Sequence, residues 1–355
     1  MKYTVPIIKG TLMTTGVALL LFFLFISSSL AAPAGGTQGQ PTSTPEAYLR
    51  FEYQFFADMG PVPVPVMNEM TPEKVELGKK LYFDRRLSAN NTISCATCHD
   101  PQKAFTDGKR VAEGINGQKG VRNTPSIINA AYYKELMQDG SVFSLEEQAL
   151  KPIQNPIEMK QDLKELVAEL KAVPEYVQAF QDAFGEEITP QNIGKALASF
   201  ERTILQKDTP FDRFMAGDDN AMTQQQKWGM ELFARKGRCT TCHTAPAFTD
   251  HGYDNLSVEG DDLGRFAVTG IASERGAFRT PQLRDVAKTA PYMHDGSQAT
   301  LEEVIDHYDK AIHTNMFVSE DFVPLHLTGE EKAALVAFLN ALSGPDIVVE
   351  PPQIP

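Results

Sequence analysis

Cysteine is scarce in this chain, four residues in 355, and tryptophan occurs once, at Trp228. So few cysteines exclude a disulfide-built scaffold. Positive charge is also short: 33 Lys and Arg stand against 46 Asp and Glu, a formal net charge of −13. That deficit argues against nucleic acid as a partner, because a polyanion would be repelled. It suits solubility, and it suits a partner protein with a basic face. At 42% hydrophobic and 22% charged residues, the composition is that of a globular chain, neither disordered nor collagenous. The length allows one large domain or two ordinary ones.

Near the N-terminus, Lys2 and Lys9 are followed by an apolar run from Val17 to Ile26, then by Ser27, Ser28, Ser29, Leu30, Ala31 and Ala32. A basic start, a short apolar core and a small-residue zone make a secretory signal peptide, residues 1–32. The apolar core falls short of the roughly 20 residues that a spanning helix needs. The expectation is therefore cleavage near Ala32, export to the periplasm and no stable membrane anchor. Residues 33–43 read as a flexible polar linker.

The remainder reads as the same plan used twice. Cys95-Ala96-Thr97-Cys98-His99 matches Cys239-Thr240-Thr241-Cys242-His243, and Ala-Phe-Thr-Asp follows each, at 104–107 and 247–250. Arg122-Asn123-Thr124-Pro125 is echoed by Arg279-Thr280-Pro281. Asp-Gly-Ser follows at 139–141 and 295–297, and Leu-Glu-Glu at 145–147 and 301–303, with the same spacing. Such agreement points to an internal duplication. It predicts an N-terminal domain over 44–206, a C-terminal domain over 207–347 and a tail over 348–355. Local patterns are mainly helical. Thr71-Pro72 and Thr189-Pro190 are N-caps with Pro at the first helical position. Ile193, Leu197, Phe200 and Ile204 fall on one face. Thr328 and Glu331 form a capping box, Leu335, Phe338, Leu339 and Leu342 line the inner face behind it, and Gly344 is expected to end that helix. Residues 103–126 and 244–282 lack periodicity and read as loops over the two sites.

Cys-x-x-Cys-His is the haem c attachment signature. Two thiols bind the porphyrin vinyl groups and the adjacent His reaches the iron, so His99 and His243 are the expected proximal ligands. A zinc site would need four ligands, and the two motifs lie far apart in sequence. A thioredoxin-like dithiol would need a βαβ context that is missing. Two haem c groups also consume all four thiols. The opposite face of each iron then decides between a carrier and an enzyme. Seven residues beyond Leu145 stands Pro152, and seven beyond Leu301 stands Tyr308. Proline has no ligating atom, whereas a phenolate can bind iron. The first iron is expected to be open and the second closed by Tyr308, with Met293 and Met316 as competing ligands. Gln148 and Glu158 are polar residues in the same apolar stretch as Pro152, which makes them acid/base and peroxide-orienting candidates. His251, His307, His313 and His326 are taken as surface or loop residues.

The segments at 81–107 (LYFDRRLSANNTISCATCHDPQKAFTD), 122–130 (RNTPSIINA), 145–159 (LEEQALKPIQNPIEM) and 278–303 (FRTPQLRDVAKTAPYMHDGSQATLEE) resemble the bacterial dihaem cytochrome c peroxidases and their relative MauG. The resemblance covers nearly all of the mature chain. It implies a mainly α fold of two packed cytochrome c-type domains with a calcium ion between them. Gln148 and Glu158 match the family's distal pair. Asn123, Thr289 and Pro291 match its calcium ligands, the last two through backbone carbonyls. This chain also departs from the peroxidase pattern. Gly114-Ile115-Asn116-Gly117 stands where many of these peroxidases carry a distal His, Tyr308 replaces the Met that many have, a tyrosine being what MauG carries there, and Gln138 stands where the family usually has an inter-haem Trp. His294 matches a family His near the second haem.

Three functions compete on this reading. The first is reduction of hydrogen peroxide to water with electrons from a small c-type cytochrome or another periplasmic donor. The second is a MauG-like oxidase that turns a high-valent dihaem state on side chains of a protein substrate, as in maturation of a tryptophan-derived quinone. The third is a non-catalytic dihaem carrier or sensor, which Pro152 fits poorly.

Overall fold

The structure, a computed structural model, describes residues 45–53 and 58–355. The expected signal peptide and linker lie outside the described residues. Helices dominate. In chain order they are α1 (Pro45–Tyr53), α2 (Pro72–Phe83), α3 (Cys95–Cys98), α4 (Leu145–Gln148), α5 (Leu150–Gln154), α6 (Leu163–Lys171), α7 (Pro174–Phe184), α8 (Pro190–Glu201), α9 (Pro210–Met215), α10 (Gln224–Ala234), α11 (Phe266–Thr269), α12 (Leu301–Lys310) and α13 (Gly329–Ala341). Two short strands, β1 (Tyr253–Asp254) and β2 (Phe278–Arg279), pair antiparallel. Among the described residues no helix is long and apolar enough to cross a membrane.

The capping residues act as their chemistry requires. Thr71 Oγ1 accepts from Lys74 N at 3.3 Å, and Thr189 Oγ1 accepts from Asn192 N at 3.2 Å. Each satisfies one of the N–H groups that a helix start leaves free. Thr328 and Glu331 form the reciprocal capping box. Gly344 does not end α13 as expected. The helix closes at Leu342, while Gly344 N donates to Asp285 Oδ1 at 3.0 Å. A side chain at 344 would lie 2.4 Å from Gln206 Oε1, so close approach explains this glycine.

The apolar residues bury themselves in two main clusters. The first gathers Leu77 and Leu81 of α2, Tyr176 and Phe180 of α7, and Ile193, Leu197 and Phe200 of α8. The second gathers Phe211 and Phe214 of α9, Phe233 of α10, and Leu335, Phe338 and Leu339 of α13. Each is organised by a crossed helix pair that meets at glycine. A Cβ on Gly78 of α2 would lie 1.9 Å from the Ala196 carbonyl oxygen and 2.9 Å from Phe200 Cβ. On Gly229 of α10 it would lie 1.9 Å from the Ala334 carbonyl oxygen and 2.8 Å from Phe338 Cβ. The missing side chain lets two backbones touch at the same step in both pairs.

The termini do not follow the expected boundaries. Leu49 and Tyr53 of α1 pack on the second cluster, and Tyr53 Oη donates to Met230 O at 3.1 Å. Residues 45–53 therefore join the core of the C-terminal half, although they precede every residue of the N-terminal one. Conversely, Ile347 and Val349 pack on the first cluster, and Arg86 Nη2 donates to the Pro355 carbonyl. Apolar pairing across the chain overrides sequence order here. Polar bonds tie down the point where the halves join. Gln206 N donates to Asn129 Oδ1 at 3.0 Å, and Gln206 Nε2 donates to Asp285 Oδ2 at 3.1 Å and Pro345 O at 2.8 Å. Residues 103–126 and 244–282 contain one-turn helices and the β1–β2 ribbon rather than unbroken loop. Those elements are too short for periodicity to reveal.

Candidate functional site

The two motifs have matching local geometry. Ser94 and Thr97 cap α3 reciprocally, so Cys95 and Cys98 share one turn. His99 N closes that turn on Cys95 O at 2.9 Å, and His243 N closes the second on Cys239 O at 2.8 Å. His99 Nδ1 meets the Phe105 carbonyl at 3.2 Å, and His243 Nδ1 meets the Phe248 carbonyl at 2.9 Å. These phenylalanines belong to the two Ala-Phe-Thr-Asp stretches. With the ring proton on Nδ1, Nε2 is the atom left for a metal. Burial holds both imidazoles below their usual pKa, although the Phe105 and Phe248 carbonyls oppose it. Both rings are neutral at pH 7, the form that ligates iron. Behind the first motif, Tyr82 Oη donates to the His99 carbonyl.

Burial pushes every thiol up, Cys98 to about 11 and Cys239 and Cys242 to about 12, with Asp254 adding to the effect at Cys242. A redox dithiol would show the opposite shift. Among the described residues, no group of three or more His, Cys, Asp or Glu side chains is arranged to hold a metal ion. Each motif thus offers two protonated thiols and one neutral imidazole with a free Nε2. That donor set fits covalent haem c and does not fit a protein-only zinc centre.

Beyond the motifs the two sites diverge. In the second, α12 presents Tyr308, set edge-on to Phe322 with ring centroids 5.7 Å apart. Burial raises its pKa well above that of an ordinary phenol, and the nearby Cys239, Cys242 and Asp254 add to the rise. Met316 is 88% exposed and does not turn inward. His307 lies half-buried on α12 rather than on an open surface, with Nε2 2.8 Å from Leu256 O. His313 is likewise tied, 2.6 Å from Phe322 O, and His251 has a buried Nδ1 with no partner.

In the first site the corresponding chain is broken into α4 and α5, with Gln148 ending one and Pro152 inside the other. Glu158 follows on the next turn. Its Oε1 accepts from Asn155 Nδ2 at 2.9 Å, and burial raises its pKa against that bond. The carboxyl lies near enough to Cys98 to raise the thiol further. The loop at 114–117 closes over it. Ile115 N donates to Glu158 O at 2.7 Å, and a Cβ on Gly114 would lie 2.6 Å from Glu158 Cα. No cation pairs with this carboxyl among the described residues. Gln148 Nε2 points to Met137 Sδ at 3.8 Å, and among the described residues Gln148 and Glu158 do not bond to each other.

Asn123 is drawn to the loop that holds Thr289 and Pro291, because Asn123 N donates to His294 O at 2.7 Å. Its Nδ2 donates to Lys109 O at 2.8 Å, which leaves Oδ1 free to bind a cation. Gln138 Nε2 donates to Asn123 O at 3.1 Å, and its Oε1 is buried without a partner.

Several buried polar groups escaped the sequence reading. Glu201, buried at the C-terminal end of α8, has its pKa pushed up to about 8 by burial and lies near Cys95. Arg202 forks onto Glu146 at 2.8 and 3.1 Å. Tyr253 donates to Glu135 across the halves. The repeated Leu-Glu-Glu pointed to Glu146; nothing local marked the others.

A family model described as di-haem cytochrome c peroxidase matches residues 72–220. Methylamine utilization protein MauG of Methylorubrum extorquens is 41% identical over 299 residues, covering 83% of this chain and 85% of that one. Cytochrome c551 peroxidase of Pseudomonas aeruginosa is 36% identical over 298 residues, covering 81% and 83%. Among solved structures, a MauG-like protein associated with microbial copper homeostasis superposes with a TM-score of 0.75 at 33% identity, covering 87% of this chain and 96% of the other.

Proposed function

The chain belongs to the di-haem cytochrome c peroxidase family, and from that premise we propose that it is a periplasmic peroxidase. It reduces hydrogen peroxide to water with electrons from a small c-type cytochrome. Cys95 and Cys98 would hold one haem c, with His99 as ligand. Cys239 and Cys242 would hold the other, with His243 and Tyr308 as ligands. When bound, the two haems supply the electrons and the iron at which the O–O bond is cleaved. The chain's own residues do the rest. Two electrons and two protons turn one peroxide into two waters.

The observation that carries this reading is Glu158. It is a burial-raised carboxyl near enough to Cys98 to raise that thiol, with no cation paired to it among the described residues, and it follows a helical position where Pro152 has no atom to bind iron. Such a carboxyl takes a proton from one peroxide oxygen and returns it to the other, which makes the leaving group water. Asn155 orients it, Gln148 holds the peroxide by hydrogen bonding, and the 114–117 loop keeps bulk water out. Asn123 Oδ1 with the Thr289 and Pro291 carbonyls would hold a calcium ion where the halves meet. The paired glycine crossings and paired His–carbonyl contacts support two domains that arose by duplication. An acidic surface favours encounter with a basic donor.

Tyr308 supports a second reading, an oxidase that modifies side chains of a partner protein, in line with the relatives named MauG. Gln138 weighs against it, since the family usually has an inter-haem Trp there. Steady turnover of peroxide with reduced small cytochrome c is the expected result for the dihaem protein. Peroxide-dependent crosslinking or quinone formation in a precursor protein, without cytochrome turnover, would replace the first reading with the second.

A further inference from the structure

We propose that Tyr253 is a redox relay between the two centres, with Glu135 as the acceptor of its phenolic proton. This rests on the peroxidase reading, which needs electrons to cross from the second half of the chain to the first.

Tyr253 begins at the second site and ends at the first half. Its neighbour in β1, Asp254, accepts from Cys242 Sγ at 3.4 Å. Its phenol reaches the segment 135–140. There the hydroxyl donates to the Glu135 carboxylate and rests on Gly140, where a Cβ would lie 1.7 Å from the phenol oxygen. Gly140 has φ +68° as well, so both conformation and space call for glycine. The same segment runs to the first site, because Met137 Sδ faces Gln148 Nε2. Arg279, which pairs with Tyr253 across the β ribbon, fastens the two sides: its N donates to Gln138 O at 2.8 Å and its Nε to Met137 O at 3.2 Å.

A phenol cannot lose an electron at neutral pH without also losing its proton, because the phenol radical cation is a very strong acid. A relay phenol therefore needs a base already bonded to its hydroxyl. Glu135 is that base, and Arg265 pairs with it through Nη2 at 3.0 Å while its guanidinium covers the Tyr253 ring at 4.2 Å. Burial and Glu135 together hold the Tyr253 proton on the phenol at rest, against Arg265 and Arg279. A second phenol at the junction, Tyr133, lacks this arrangement. Arg279 lies 3.4 Å over its ring, and its hydroxyl accepts from Gln282 N at 2.7 Å. Among the described residues no carboxylate accepts from it.

The relay step balances. Tyr253 gives one electron to the first centre, oxidised by hydrogen peroxide, and its proton moves to Glu135. One electron from the second centre and the return of that proton restore the phenol. The net result is transfer of one electron between centres, with no atom gained or lost.

The test is rapid-freeze EPR of the dihaem protein after hydrogen peroxide addition, with and without ring-deuterated tyrosine, beside stopped-flow absorbance of the second centre. Wild type gives a tyrosyl signal that narrows on deuteration. Tyr253→Phe loses it with its resting haem spectrum unchanged, and oxidation of its second centre slows about tenfold or more. Glu135→Gln keeps the phenol, removes the base and slows the same step. A wild-type signal and rate in either variant overturns the relay while the peroxidase reading stands. If peroxide leaves the wild-type spectrum unchanged, the peroxidase reading fails first and the relay with it.

Discussion

Replacing Glu158 by Gln removes one proton site and little else. The side chains are nearly isosteric, and the backbone clamp from Ile115 N to Glu158 O does not involve the side chain. The amide oxygen can still accept from Asn155 Nδ2, so the distal segment keeps its place. What disappears is a carboxyl that shuttles a proton, a contribution of roughly 10²- to 10⁴-fold, or ~3–5 kcal/mol in the barrier. The working form in the first step is the carboxylate. Its pKa is raised by burial against the Asn155 bond, so the wild-type rate should climb as pH rises through that elevated value and then level off. Glu158→Gln should be slow at every pH and lack this limb. The stability sign runs the other way. A carboxyl whose folded-state pKa is raised destabilises the fold once pH exceeds its unfolded value, and the cost is complete above the folded value. The variant should therefore melt at the same temperature as wild type or higher near pH 7. The assay is stopped-flow absorbance of the ferric dihaem protein mixed with peroxide across pH, beside thermal melts. A variant with the wild-type rate and the same acid limb would remove Glu158 from the mechanism.

Three further expectations follow from the same packing. Gly229→Ala should destabilise the second cluster by about 1–3 kcal/mol, as overpacking does, since the ~1 kcal/mol that Ala gains in helix propensity is outweighed by contact with a carbonyl that cannot withdraw; thermal melts of Gly229→Ala and Gly78→Ala should fall together, and a rise in either would refute the crossing. Arg284 is 1% exposed and forks onto Asp212 at 2.7 and 2.8 Å, so Arg284→Ala should cost about 3–5 kcal/mol, as for a buried pair robbed of one partner; a urea midpoint equal to wild type would contradict this. Tyr308→Phe should change the absorbance of one haem and leave both attached, and an unaltered spectrum would show that another group closes the second iron.

The amino-acid sequence alone determined the attachment motifs, the repeat, the helix starts and the contrast between Pro152 and Tyr308. These are local. A cap bonds its own first turn, a Cys-x-x-Cys-His fits on one turn, and a position with no ligating atom has none in any fold. Tertiary structure decided what depends on distant partners. Apolar pairing sent α1 to the second cluster and 347–349 to the first, against chain order. Gly344 reads as a helix stop until Gln206 arrives beside it. Glu201 looks like any helical acid until α8 is buried, and Tyr253 and Glu135, 118 residues apart, become a donor and acceptor only when the two halves close. Spacing along the chain encodes bonds within a turn or two, whereas burial and long-range pairing, which set the charge states here, exist only once the chain has packed.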